Sequence, residues 1–150
     1  MRRAIALAQI GVDADAGGPF GAVVVKNGEI VGEGYNQVTS TNDPTAHAEV
    51  VAIRSACLKL ESFQLDECVL YTSCEPCPMC LGAIYWARPK QIFFACTHKD
   101  AAAVGFDDSF IYEEMRCPTD ERKIKSVNFL RDEGLTVFNT WANKTDKTEY

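Results

Sequence analysis

His47, Cys77 and Cys80 have the types and spacing of an open zinc site, and Glu49 stands two positions beyond the histidine. The two halves read His47-Ala48-Glu49 and Pro76-Cys77-Pro78-Met79-Cys80. Three protein ligands leave the fourth tetrahedral position of zinc free, which marks a catalytic rather than a structural ion. Water in that position has its pKa lowered to about 7, so hydroxide is available at neutral pH. Glu49 is the neighbouring group able to accept and pass on the proton. Taken singly, each residue has a plainer reading. A histidine is more often packed or capping, a helix glutamate is usually solvated, and a Cys-x-x-Cys serves redox as well as metal sites. Their combination points to a catalytic zinc. Cys74 supplies a rival, because with His47, Cys77 and Cys80 it could complete a closed structural site that gives Glu49 no role.

Helices and strands must bring the halves together. Ala4, Leu7, Ala8 and Ile10 predict an amphipathic first helix ending near Gly11, and Gly17-Gly18-Pro19 a loop. Ala22 to Val25 is a β-branched run. Asn27-Gly28 is the strongest short hairpin signal, and Glu29 to Glu33 returns as the partner strand. Thr39 to Asp43 reads as a polar loop, and Pro44 suits a first helical turn. From Ala46 a helix carrying Val50, Val51, Ile53 and Ala56 runs to about Leu60. Cys68 to Thr72 is a buried strand. Pro78 opens an apolar helix through Trp86, which Arg88-Pro89 closes. Gln91 to Ala95 is a further strand, and Leu135 to Phe138 a later one. This alternation predicts an α/β fold with a largely parallel sheet covered by helices. No repeat or linker divides the chain, so residues 1–150 read as a single domain with a polar tail from Asn143.

Successive helical residues differ by about 100°, so His47 and Glu49 serve one site only at the first turn of their helix. Cys77 and Cys80 likewise straddle a helix start. Two helix N-termini then meet at the ion, and their partial positive charge favours thiolate.

Composition limits the partners. No run approaches the roughly 18 apolar residues of a membrane span. Arg2-Arg3 before Ala4 to Ala8, with Ala14-Asp15-Ala16, has the form of a secretory signal, but Gln9, Asp13 and Asp15 favour a helix instead. Seven cysteines are an odd number, three of them within residues 74–80, which fits a reducing cytoplasm rather than a disulfide framework. Cys57, Cys68 and Cys96 read as small hydrophobes, Cys117 is unassigned, and His98 reads as a loop histidine. The net charge is 15 − 21 = −6, and the densest basic group, Arg122-Lys123-Lys125, is offset by Asp120 and Glu121. Nucleic-acid binders need a basic face, so the balance argues against a polynucleotide partner.

The pattern H-x-E followed by P-C-x-x-C is the signature of zinc nucleobase deaminases. The chain resembles the cytidine deaminase-like superfamily and, within it, is similar to bacterial guanine deaminases. Gly17 to Gly21, Asn42 to Glu49 and Tyr71 to Arg88 are shared broadly with tRNA adenosine deaminases. Gly105 to Phe110 and the closing Glu149-Tyr150 are more particular to guanine deaminases. The resemblance implies a three-layer α/β/α fold around a five-stranded mixed sheet, with zinc between two helix N-termini. It implies one Zn2+ per subunit on His47, Cys77 and Cys80, with Glu49 as proton shuttle. Asn36 would hydrogen-bond the base, with Ala48, Phe20 and Trp86 around it, and Asp108 would assist loss of the amine. In such relatives the C-terminal segment crosses to the partner of a homodimer, so Tyr150 would close the other subunit's site. The present chain starts within its first helix, as if slightly shorter than those relatives.

The implied activity is hydrolysis of guanine, a small purine base, to xanthine and ammonia. A tRNA adenosine deaminase, a nucleoside or cytosine deaminase, and a structural-zinc interaction module are the alternatives. Asp107-Asp108 could instead cap the helix that Ser109 begins, Trp86 could be core, and Tyr150 could fray with the chain end.

Overall fold

Asn27 and Gly28 hold φ of 52° and 83°, the left-handed pair that a tight hairpin turn demands. They join β1 (Gly21–Lys26) to β2 (Glu29–Tyr35), which pair antiparallel. A computed structural model describes residues 1–150, which form two compact units, 1–109 and 110–150.

In the first unit β3 (Cys68–Cys74) and β4 (Gln91–Cys96) complete a sheet ordered β2-β1-β3-β4. β1 is antiparallel to both its neighbours, whereas β3 and β4 are parallel. Thus β2, β3 and β4 share one direction, and β1 lies reversed between the first two. The sheet is therefore mixed, as the resemblance implied, rather than largely parallel, because the hairpin inserts its first strand into an otherwise parallel set. The sheet has four strands, not five.

Alternation along β1 and β3 divides the core between two faces. Val23 packs with Ala4 and Leu7 of α1 (Arg2–Asp13), and Tyr71 lies against them. On α1 the buried stripe ends in Gly11, which abuts Tyr35; Ile10 lies outside it. Ala22, Val24, Cys68 and Leu70 face the other way, with Ala48, Ala52 and Ala56 of α3 (Ala48–Leu60) and Ile84 of α4 (Pro78–Ala87). Helices therefore cover both faces, as the three-layer expectation requires. The alanines at four-residue spacing meet Gly32 and Gly34 of β2, so helix and strand approach backbone to backbone. That rail, rather than Val50, Val51 and Ile53, is the fully buried edge of α3.

Two local expectations fail before α3. Residues 38–41 form a short helix, α2 (Val38–Thr41), because the Asn36 side-chain oxygen accepts from Val38 N–H at its start. Pro44 stands in a turn rather than in α3. There Asp43 Oδ1 accepts from the Thr45 N–H at 2.8 Å and from its hydroxyl at 2.7 Å.

After β4 come α5 (His98–Ala103) and α6 (Ser109–Arg116), the latter leading into the second unit. In that unit Leu135 to Phe138, expected as a strand, lies inside α7 (Arg131–Ala142). A four-residue apolar run cannot distinguish the two periods. Leu135, Phe138 and Trp141 recur every three residues, and Asp132 and Glu133 favour a helix N-terminus. No helix is long and apolar enough to cross a membrane.

Candidate metal centre

His47 is the N-cap of α3, with extended backbone at φ −70° and ψ 153°. Standing just outside the helix frees its imidazole from the angular spacing of helical side chains, so it can share a site with Glu49. Cys77 is the N-cap of α4, with Pro78 at the first helical position, where an N–H is not needed. The Cys77 sulfur accepts from Cys80 N–H at 3.5 Å, which folds the second cysteine back beside the first.

The donor atoms of His47, Cys77 and Cys80 lie within 4.8 Å of one another. His47 Nδ1 is 3.6 Å from Cys77 Sγ and 3.4 Å from Cys80 Sγ. With metal–sulfur and metal–nitrogen bonds of about 2.3 and 2.1 Å, a tetrahedral zinc holds nitrogen and sulfur about 3.6 Å apart. The spacing therefore fits that ion. Charge fits at one of the two sulfurs. The Cys77 thiol is lowered to about 4, first by the hydrogen bond from Cys80 and then by that from His47. Its thiolate in turn raises His47, and the bond to Cys77 together with burial pushes Cys80 up.

Cys74 does not join the cluster. Its thiol donates to the Thr97 carbonyl at 3.4 Å, and burial raises it to about 11, so it stays protonated. The closed four-ligand arrangement thus lacks its fourth member.

Glu49 is almost wholly buried next to the donors. Its Oε1 accepts from the Thr72 hydroxyl at 3.1 Å, and Oε2 lies 3.4 Å from Cys80 Sγ. Burial raises its pKa, which brings the carboxyl nearer to a group that can both take and release a proton.

A cavity of about 820 Å³ opens from His47 and is lined by Asn36, Phe20 and Phe106, with Gly17 and Gly18 at one wall. Phe20 and Phe106 meet edge to face, centroids 5.0 Å apart. Asn36 is buried, and its N–H donates to Phe20 carbonyl at 2.9 Å. Ala48 is completely buried at the start of α3. Trp86 is largely exposed on α4, so it is neither core nor part of this cavity wall. Tyr150 belongs to the second unit.

Asp107 accepts from Ser109 N–H at 2.9 Å, an Asx-type turn just before α6. Asp108 is raised by burial and then by the charge of Cys77. His98, expected as a loop residue without a partner, starts α5 and pairs through Nδ1 with Glu75 Oε2 at 2.6 Å. Sequence reasoning passed over Thr72 and Phe106 as site neighbours. For Thr72 the signal was a hydroxyl within an apolar strand.

Residues 1–96 match the model of the cytidine and deoxycytidylate deaminase zinc-binding region. The chain belongs to this zinc deaminase family. Both halves of the motif fall within the matched deaminase region, and one zinc ion per chain fits its three donors. Among deaminases, the chain is 60% identical to the guanine deaminase of Bacillus subtilis over 150 residues, covering all of this chain and 96% of that protein. The crystal structure of guanine deaminase from Bacillus subtilis superposes with a TM-score of 0.96 over 99% of this chain and 95% of that one. The tRNA-specific adenosine deaminase of Aquifex aeolicus is 42% identical over 86 residues, 57% of each chain.

Proposed function

We propose that this deaminase hydrolyses guanine to xanthine and ammonia. The likeness to the Bacillus subtilis guanine deaminase carries the reading, because it runs through all 150 residues. Likeness to the tRNA-specific enzyme covers only 57% of the chain. In this reading His47, Cys77 and Cys80 hold the zinc, which when bound supplies Lewis-acid activation of water at neutral pH.

The remaining chemistry belongs to side chains. Asn36, with Oδ1 taken by Val38 N–H, offers its amide N–H groups to an acceptor on the purine. Phe20 and Ala48 bound the base; Trp86, which the resemblance places in the pocket, lies outside the wall of this cavity. Glu49 takes a proton from the attacking water and places it on a ring nitrogen while oxygen bonds to C2. That carbon becomes tetrahedral, and a second proton carried by Glu49 lets the amine depart as ammonia, with Asp108 assisting at the amino group.

The same reading makes the protein a cytoplasmic homodimer of single deaminase domains that exchange residues of the C-terminal segment. Tyr150 of one copy then closes the site of the other. The second unit supports it: Phe110, Ile124, Val127, Phe129, Val137 and Phe138 are all mostly exposed, as expected of a surface that another copy covers.

Ammonia release from guanine, adenine, cytosine, guanosine and cytidine tests the assignment. Guanine should be the preferred substrate by a wide margin. Preference for a nucleoside, adenine or cytosine would overturn it.

A further inference from the structure

Thr72 breaks an apolar row. Along β3 the side chains of Cys68, Leu70, Thr72 and Cys74 are all buried, and the first two pack against α3 and α4. Thr72 itself has no exposed surface. Valine has the same outline and suits a strand equally well. A buried hydroxyl is costly unless it is hydrogen-bonded, so its presence here calls for a partner. That partner is Glu49, whose Oε1 accepts from Thr72 Oγ1 at 3.1 Å.

The bond has a direction and a firm base. β3 is an interior strand, with Thr72 registered against Ala22 on β1 and Phe94 on β4. A β-branched side chain has little χ1 freedom, so the hydroxyl is fixed to the sheet rather than to the helix that carries Glu49. With Oε1 occupied, Oε2 is the oxygen left beside Cys80 Sγ at 3.4 Å.

We infer that Thr72 is a positioning residue for the deamination: its hydroxyl holds Oε1 of Glu49 so that Oε2 faces the metal donors and handles the proton. This rests on the reading of Glu49 as proton carrier. Groups that orient the residues around a metal typically change metal affinity or activity by roughly 10–100-fold when removed.

The test compares wild type with Thr72→Val, Thr72→Ser and Glu49→Gln for kcat, KM, zinc content and melting temperature. Thr72→Val should lower kcat by roughly 10–100-fold with KM and zinc near wild type. Thr72→Ser, which keeps the hydroxyl, should recover most of the rate. Wild-type turnover in Thr72→Val, equal slowness in both variants, or a loss confined to zinc or KM would overturn the assignment. If Thr72→Val does not fold, Thr72→Ala set against Thr72→Ser gives the same contrast. Glu49→Gln separates the layers. Normal turnover there removes the role of Glu49 itself, whereas an inactive Glu49→Gln beside a normal Thr72→Val removes only that of Thr72.

Discussion

A methyl group on Gly17 would stand 2.1 Å from Asn36 Oδ1 and 2.9 Å from the Asn36 carbonyl oxygen. Glycine is therefore what lets the buried amide lie flat against the loop while Val38 N–H holds its oxygen. Gly17→Ala should displace Asn36 and raise KM for guanine by about tenfold, the scale of one net hydrogen bond. Zinc content should be unchanged. An unaltered KM would detach Asn36 from recognition of the base.

Metal content separates the cysteines. Cys77→Ala and Cys80→Ala should each lower zinc from about one per chain to a small fraction after dialysis, since an open site has no ligand to spare. Cys74→Ser should keep its zinc, because that thiol donates to the Thr97 carbonyl rather than facing the donors. Elemental analysis checks all three, and zinc loss in Cys74→Ser would restore the closed structural site.

Arg3 and Glu33 tie α1 to β2 through two bonds of 2.6 and 2.7 Å. The hydrogen bond from Arg3 lowers the Glu33 pKa below the ordinary glutamate value. A depressed carboxylate contributes stability above its unfolded-state pKa and loses it as pH falls through the folded one. Glu33→Gln should therefore melt slightly lower than wild type at pH 7, by less than about 1 kcal/mol of stability for so exposed a pair. The gap should close as pH falls below the ordinary glutamate range. A gap that widened in acid would reverse the sign of the argument.

Removal of Tyr150 alone should lower kcat/KM by about tenfold or more, as a site that is wetter and short of a contact would. Melting temperature and zinc should stay at wild-type values. Unchanged kinetics would retire the exchanged terminus.

Features dictated by short-range chemistry were readable in the chain. Pro78 between two cysteines, and His47 before a run of helix formers, announce helix starts, and a metal needs its donors near such ends. Asn27-Gly28 announces its own turn. What depends on distant partners was not readable. Nothing near Ala22 says that β1 will lie between β2 and β3, and Leu135 to Phe138 suits either period. His98 finds Glu75 only because β4 runs parallel to β3 and ends beside it. Cys77, Cys80 and Glu49 share one neighbourhood in both readings, whereas Trp86 on the exposed side of α4 was placed through resemblance alone.

Gly34 faces the Ala48 carbonyl with no side chain between them; a methyl there would sit 2.5 Å from that oxygen. Bare main chain thus serves as the gauge that sets how deep the imidazole and carboxylate are seated relative to the sulfurs on α4. Enlarging that residue would shift two reactive groups together while leaving the other two in place. This depth cannot be retuned one side chain at a time.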